Sequence, residues 1–371
     1  MRRGEPAGVA GPVRLRPLVE TVRDGEALYL LRGPAGGDCV VHAPPPAVLA
    51  LLELLRAGGT APGLTAALAA GGLAVEATEV AGMLADLEAQ ELLEPVPAGP
   101  PAARLARQLL YLGDRCPAGA DAAAMQARVR AAHVVLIGCG GLGCWAAAGL
   151  ACIGVGRLTL VDDDVVEESN LNRQILFRAA DLGQPKVEAA ARTLRAFDPG
   201  LEVRALRRAV DGPAAVRAVI RGADVVLGLA DRPPYAIGRW INAAALAERV
   251  AYLSAGQLPP LIRVGPLVVP GETACAGCHE LALREATPLY DRLEALRRAD
   301  LRPLATLGPA SGIVGEVLAM EVLHHLTGLV APATRGAVWT LDLRTLAAAV
   351  EPVARRADCP LGCGQPHGEP R

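Results

Sequence analysis

The chain has 371 residues, of which 52% are hydrophobic and 20% charged, with a formal net charge of −2. That exceeds one ordinary domain and supplies a sizeable core, which excludes wholesale disorder. The near-neutral charge and an aromatic content of 3% exclude both a basic field for a nucleic-acid backbone and a base-stacking platform, so no nucleic acid is expected as a partner.

The chain opens with MRRGEPAGVAGPVRLRP, which is basic but has no apolar h-region and so does not read as a secretory signal. Nine cysteines, an odd number scattered over a long chain, fit a reducing compartment, and a cytoplasmic location is expected. Residues 15–96 hold 4 Arg against 11 Asp and Glu, a net −7. Strands are predicted at Ala27–Leu31 and Cys39–His42, joined by RGPAGGD. Helices are predicted at Pro46–Ala57, 63–70 and 78–90. The last carries Val80, Met83, Leu84 and Leu87 at helical spacing, with Thr78 as the expected N-cap and 91–96 as a short closing strand. Two strands followed by three helices predict a small winged-helix-like α+β domain. A DNA-reading winged helix would be basic, so this acidic unit is expected to bind protein or peptide. The stiff run PVPAGPP then separates it from the rest. The expected domains are 1–96 and 104–371, with 97–103 as linker.

The larger part alternates. Strands are predicted at His133–Ile137, Arg157–Asp162, Glu202–Arg207 and 224–229, and helices at 142–153, Lys186–Phe197 and 212–220. A long apolar helix over 310–326 and a strand at Ala337–Asp342 follow. This βαβ pattern predicts an α/β class, a Rossmann-like doubly wound parallel sheet. Residues 134–156 are uncharged over 23 positions and mimic a membrane span, but they contain seven Gly, four of them between 138 and 143. A buried strand, a glycine turn and a buried helix account for that segment, and no membrane association is expected.

The glycine turn is GCGGLG. Gly138, Gly140 and Gly143 form Gly-x-Gly-x-x-Gly between strand and helix, with Gly141 inside the loop. The first glycine allows the tight turn, the second lets backbone approach a phosphate and the third lets helix pack on strand. The helix N-terminus favours an anion. Asp162 ends the next strand, where its carboxylate can accept from a ribose hydroxyl. By itself this loop favours NAD over ATP.

Composition argues otherwise. Of 37 basic residues 36 are Arg, and the one lysine is Lys186. There are only three Asn, at 170, 172 and 242. Two of these and the lysine lie in the run that follows Asp162-Asp163-Asp164, namely ESNLNRQILF and GQPK. Arg173 and Lys186 put two cations beside one βα connection, next to the neutral groups of Asn170, Asn172 and Gln174. Hydride transfer does not need this, whereas a triphosphate does.

GCGGLG, the Asp run with Asp164, SNLNRQ and GQPK together resemble the ThiF/MoeB/HesA branch of the ubiquitin-activating-enzyme superfamily, over roughly residues 104–364. The resemblance implies adenylation of a C-terminal carboxylate with ATP and Mg²⁺, commonly in a homodimer. It implies phosphate contacts at the glycine loop, ribose contact at Asp162, and triphosphate contacts at Asn170, Arg173 and Lys186. It also implies a Mg²⁺-associated role for Asp231, although the Asn usual after it is Arg232 here. RLARQ resembles the family's Arg-x-x-Arg-Gln, which makes Arg107 the arginine expected to reach a partner subunit's site.

Cys275 and Cys278 in CAGC, with Cys359 and Cys363 in CPLGC, predict a four-cysteine structural zinc site. The longer second spacing leaves His279 or His367 open as a substitute ligand. The other cysteines, with Cys139, Cys144 and Cys152 in the glycine-rich unit, are expected to be mostly small buried hydrophobes. Residues 281–307 contain no cysteine, so a covalent sulfur or ubiquitin-type relay is not expected.

RVGPLVVPGETACAGC and the ending TLDLRT are similar to family members that mature ribosomal peptides, bacteriocins and azole peptides among them. The first domain resembles their precursor-peptide recognition element, in which a leader peptide adds to a strand edge. Two functions therefore compete. One is an adenylating enzyme acting on a precursor peptide. The other is a leader-binding partner that presents the precursor to a separate YcaO-type cyclodehydratase. A third, an NAD-linked oxidoreductase, has only the glycine loop in its favour.

Overall fold

Between residues 11 and 96 four short, partly charged strands are followed by three apolar helices and a closing strand. The computed structural model describes residues 11–32, 38–96, 103–115, 121–299 and 305–363. The chain divides into two compact units at Ala127/Arg128. Most of the linker and the tip of the RGPAGGD turn lie outside the described residues, as does His367.

The first unit runs β1 (Val13–Leu15), β2 (Glu20–Asp24), β3 (Ala27–Leu31), β4 (Cys39–His42), α1 (Pro46–Ala57), α2 (Ala61–Ala70), α3 (Ala77–Ala89), β5 (Leu93–Pro95) and α4 (Ala106–Arg115). β2, β3 and β4 form an antiparallel meander, and β1 pairs antiparallel with β5. Leu30, Leu51, Leu55, Val80 and Leu92 fill the core beneath the helices. Three elements, β1, β2 and α4, are additions to the sequence reading. β2 carries Glu20, Arg23 and Asp24, so it lacks apolar alternation, and its pairing comes from the tight turn at Gly25, where φ is +59°. β1 is three residues long. The expected N-cap at Thr78 is also corrected. α3 starts earlier, and Glu76 and Glu79 form a reciprocal capping box that satisfies the first backbone donors. Thr78 lies inside the first turn.

α5 (Ala122–Ala131) crosses from the first unit into the second. The second unit continues with β6 (His133–Ile137), α6 (Gly141–Cys152), β7 (Arg157–Asp162), α7 (Lys186–Phe197), β8 (Glu202–Arg207), α8 (Pro213–Ile220), β9 (Val225–Gly228) and α9 (Ala236–Glu248). It then runs β10 (Ala251–Leu258), β11 (Leu261–Val268), α10 (Ala276–Ala286), α11 (Tyr290–Ala299), α12 (Gly308–Thr327), β12 (Ala337–Asp342) and β13 (Ala348–Pro352). Among the described residues, eight strands form one sheet in the order β13-β12-β11-β10-β9-β6-β7-β8. From β10 to β8 every pairing is parallel. β11, β12 and β13 extend the sheet antiparallel, which corrects the expectation of an all-parallel sheet. β11 and β13 had no prediction.

The parallel half has the doubly wound order, and its direction of winding reverses between β6 and β9. Ligands of such sheets bind beyond the strand C-termini at that reversal. The loops after β6 and β9 carry the glycine motif and Asp231. α6 and α12 lie against each other on small residues. A methyl group on Gly315 would stand 2.3 Å from the Cβ of Trp145, and one on Gly149 would stand 2.8 Å from the Cβ of Ala319. This contact brings the N-terminal ends of both helices to one place. Segment 134–156 is the strand, turn and helix expected of it, and no helix among the described residues is long and apolar enough to cross a membrane.

Candidate nucleotide site and four-cysteine cluster

The apolar strand β6 ends at Ile137, and the chain turns at Gly138, where φ is +106°. A side chain there would strike the Ala230 backbone nitrogen at 2.5 Å. Gly143 packs on the first glycine, since its missing methyl would fall 2.1 Å from Gly138 O. Gly140 caps α6 with nothing within 4 Å of its absent side chain, which leaves backbone open to a ligand. Gly141 faces Ser311 Oγ at 2.9 Å and Arg173 Cδ at 3.4 Å from the same reference point. The three glycines thus serve a turn, an open approach and a close packing.

Asp162 braces the loop. Its carboxylate accepts the Cys139 N–H at 2.6 Å and the Asp164 N–H at 2.9 Å. Burial pushes its pKa above the ordinary carboxylate value, against these two hydrogen bonds. Each carboxylate oxygen retains acceptor capacity for a hydroxyl. Burial likewise raises the thiols of Cys139, well above the usual range, and Cys144, to about 12. They are neutral packing groups, as expected, whereas Cys152 is exposed, a correction to its place among the buried cysteines.

The segment after Asp162 zips onto the start of α7. Val166 N–H donates to Gln184 O at 2.9 Å, Gly183 N–H to Val166 O at 2.9 Å, and Lys186 N–H to Asp164 O at 3.0 Å. Lys186 is buried, with its ammonium 2.7 Å from Asp164 Oδ2. Asn170 is also buried and closes a local cap, accepting Glu167 N–H at 3.1 Å. Arg173 donates to Ser169 O at 2.7 Å and to Asn172 Oδ1 at 2.9 Å, and its carbonyl accepts Trp145 Nε1–H at 3.1 Å. Asn172 is exposed. Gln174 is 2% exposed, and its Oε1 is a buried acceptor with no partner among the described residues. Asp231 and Arg232 are exposed just past Ala230, the residue that Gly138 abuts. Arg107 is exposed on α4 in the first unit.

Glycine loop, Asp162, Lys186 and Arg173 therefore meet at one end of the sheet, where the anion-binding N-terminus of α6 is flanked by two cations and a carboxylate. That set can hold a nucleotide's phosphates and ribose. An exposed carboxylate such as Asp231 suits a hard cation like Mg²⁺. Sequence reasoning missed two members of this neighbourhood. Ser311, from the first turn of α12, lies against Gly141, and Gln257, near the end of β10, donates its Nε2–H to Ser311 Oγ at 2.9 Å. Neither sits in a motif.

The four cysteines converge in the second unit. Cys275 caps α10 and Cys278 lies in its first turn. Their sulfurs stand 3.5 Å from Cys359 and 3.3 Å from Cys363 respectively, with 4.0 Å and 3.4 Å within the two pairs. All four are buried. Tetrahedral Zn²⁺ with thiolate bonds of about 2.3 Å needs sulfurs about 3.8 Å apart, so the cluster fits a structural zinc ion without His279. Disulfides would require a far shorter S–S separation. The third asparagine, whose role the sequence left open, supports this cluster. Asn242 is buried, and its Oδ1 accepts the Ala276 N–H at 3.1 Å at the start of α10.

A protein-family model described as the ThiF family matches residues 106–361. The chain is 33% identical over 293 residues to the adenylyltransferase and sulfurtransferase MOCS3 of Sus scrofa, spanning 77% of this chain and 60% of that protein. It is 34% identical over 246 residues to the sulfur carrier protein ThiS adenylyltransferase of Escherichia coli, spanning 66% of this chain and 91% of that protein. Among solved structures, E. coli MccB with ATP superposes with a TM-score of 0.74 at 22% identity, over 94% of this chain and 99% of that one. The microcin C7 biosynthetic enzyme MccB in complex with N-formylated MccA gives 0.74 at 21%, over 95% and 99%. These two likenesses establish fold, across both units.

Proposed function

We propose, from the premise that this chain belongs to the ThiF family as an adenylyltransferase, that it activates a carboxylate of a ribosomally made precursor peptide, whose leader is captured by the first unit. The observation that carries the reading is the buried Lys186, fastened to Asp164 beside an open glycine loop and Asp162. Beside an anion-binding helix end, this ammonium can pass from the Asp164 carboxylate to a phosphate oxygen.

In the reaction, a carboxylate oxygen attacks the α-phosphorus of ATP, the bond to the bridging oxygen breaks, and pyrophosphate leaves with that electron pair. The acyl-adenylate remains. The protein's part is alignment and charge neutralisation. The α6 N-terminus and Gly140 backbone receive the phosphates, Arg173 grips oxygens as a planar fork, and Lys186 adds a compact charge as pyrophosphate develops. Asp162 accepts a ribose hydroxyl. Asp231 would hold Mg²⁺, which supplies further neutralisation of the triphosphate. Zinc at the four cysteines would tie the start of α10 to the segment that carries Cys359 and Cys363, a structural role.

Leader capture is supported by the acidic first unit, which has a net −7 over residues 15–96. It is also supported by the exposed strands β2 and β4 that flank its meander, where an extended peptide can add. The MccB complex with N-formylated MccA, a neighbour over almost the whole chain, agrees with a peptide substrate.

The test is ATP–pyrophosphate exchange by the full chain, with and without synthetic candidate precursor peptides, beside a leader-binding titration. Peptide-dependent exchange supports the reading. Tight leader binding without exchange overturns it in favour of a non-adenylating partner of a YcaO-type cyclodehydratase.

A further inference from the structure

Along β10, Leu253 and Ala255 face the layer formed by α6 and α12, and Gln257 continues that row to the strand's end. Its amide is held at one side only. Nε2–H donates to Ser311 Oγ at 2.9 Å, while Oε1, on the same carbon, is sheltered from solvent and has no partner among the described residues. A buried carbonyl oxygen without a donor is rare and costs free energy unless water or a ligand completes it. Ser311 Oγ lies against Gly141, so this acceptor is one hydrogen bond removed from the loop assigned to the phosphates.

The chemistry of the vacant partner follows. Phosphate and carboxylate oxygens only accept at neutral pH, so neither satisfies Oε1. The nucleotide's own donors are the ribose hydroxyls, which belong to Asp162 at the end of β7, and the adenine amine, which lies on the far side of the ribose from the phosphates. Gln257 comes from β10, and β9 and β6 stand between the two strands. The missing donor is therefore on the acyl side of the reaction. In a peptide, the residue being activated carries an amide N–H two bonds from the carboxyl carbon.

We propose that Gln257 is a specificity-determining residue whose Oε1 accepts that N–H, so that the site selects the carboxylate of a peptide-linked residue over that of a simple organic acid. Ser311 fixes the amide's rotamer and presents the acceptor. This rests on the adenylation reading and adds to it the residue that reads the amide next to the activated carboxylate.

The probes are two stable acyl-adenylate mimics that differ in one atom. One is 5′-O-(N-acetylglycyl-sulfamoyl)adenosine. The other is its acetoxyacetyl counterpart, in which an ester oxygen replaces the N–H. Calorimetric titration of the full chain should favour the amide by about 10-fold, the loss of one hydrogen bond and the opposition of two oxygens. In Gln257→Met, similar in length and without an acceptor, the preference should vanish while the ester's affinity holds. If that variant does not fold, Ser311→Ala, which frees the amide to rotate, should shrink the preference instead. Equal binding of both mimics to the unaltered chain overturns the assignment. So does an undiminished ratio in a folded variant. Binding of neither mimic overturns the adenylation reading itself, a separate outcome.

Discussion

Lys186 is tied to Asp164 twice, by its backbone N–H to the Asp164 carbonyl at 3.0 Å and by its ammonium to the Asp164 carboxylate at 2.7 Å. The two residues close the connection between β7 and α7. A chain with 36 arginines and one lysine has placed that lysine in a buried position. A guanidinium is wider and directionally constrained, whereas an ammonium can pass from a carboxylate to a phosphate by rotation about its stem.

Lys186→Arg should therefore lower peptide-dependent pyrophosphate exchange by about 10²-fold, the scale of losing one preorganised donor. Leader binding and the melting temperature should stay near those of the unaltered chain. Near-normal exchange would remove Lys186 from the site, and loss of leader binding would show a disturbed fold.

Two glycine substitutions separate packing from binding. Gly143→Ala sets a methyl 2.1 Å from a backbone oxygen that cannot step aside. It should cost about 3 kcal/mol or more of stability, with lost nucleotide binding as a consequence. Gly140→Ala meets nothing within 4 Å and has an ordinary φ of −76°, so the fold should be unaffected. Its methyl occupies the approach of the phosphates, and ATP affinity should fall by about 10-fold or more. Thermal melts and calorimetry on both variants check the contrast; a destabilised Gly140→Ala would contradict it.

Asp162 should set an acid limit on nucleotide binding. Its ionised form accepts two backbone N–H groups and is assigned a ribose hydroxyl, and burial raises its folded pKa above 3.8. Protonation on acidification removes acceptor capacity. ATP affinity should thus decline as pH falls through that raised value, at higher pH than an unperturbed Asp would give. Titration of ATP binding between about pH 4 and 7 reads this, and Asp162→Asn should bind weakly at every pH without that inflection.

Metal analysis of protein purified without chelator should find one zinc per chain. Cys275→Ser and Cys363→Ser should each release it, because both belong to the buried cluster. Metal retained in Cys363→Ser alone would hand the fourth position to a histidine. Asn242→Ala should weaken zinc retention and lower stability by about 1–3 kcal/mol, the cost of orphaning the Ala276 N–H it accepts at 3.1 Å.

Strands β6 and β7 were legible to the residue as apolar runs with clear ends, β8 by its alternation and α7 by its amphipathic spacing after Pro185. The glycine loop was legible because its Gly-x-Gly-x-x-Gly spacing between a strand and a helix is a short-range pattern. β2 was not, since its charged side chains point to solvent and only its partner strand defines it. α9, β10, β11 and β13 had no distinguishing signature, and the antiparallel half of the sheet was missed with them.

Sequence by itself singled out residues 170–186 as candidate site residues, because lysine and asparagine are rare elsewhere in the chain whatever the fold. It also determined the glycine turn between β6 and α6, since φ at Gly138 is a property of a few bonds. Only tertiary structure decided which distant groups join them. Cys275 and Cys359 stand 3.5 Å apart across 84 positions of chain, and Gln257 reaches Ser311 across 54. Such pairs depend on how β10, α10 and α12 pack on the sheet. That packing is set by apolar surface, which carries no mark in the polar residues it brings together.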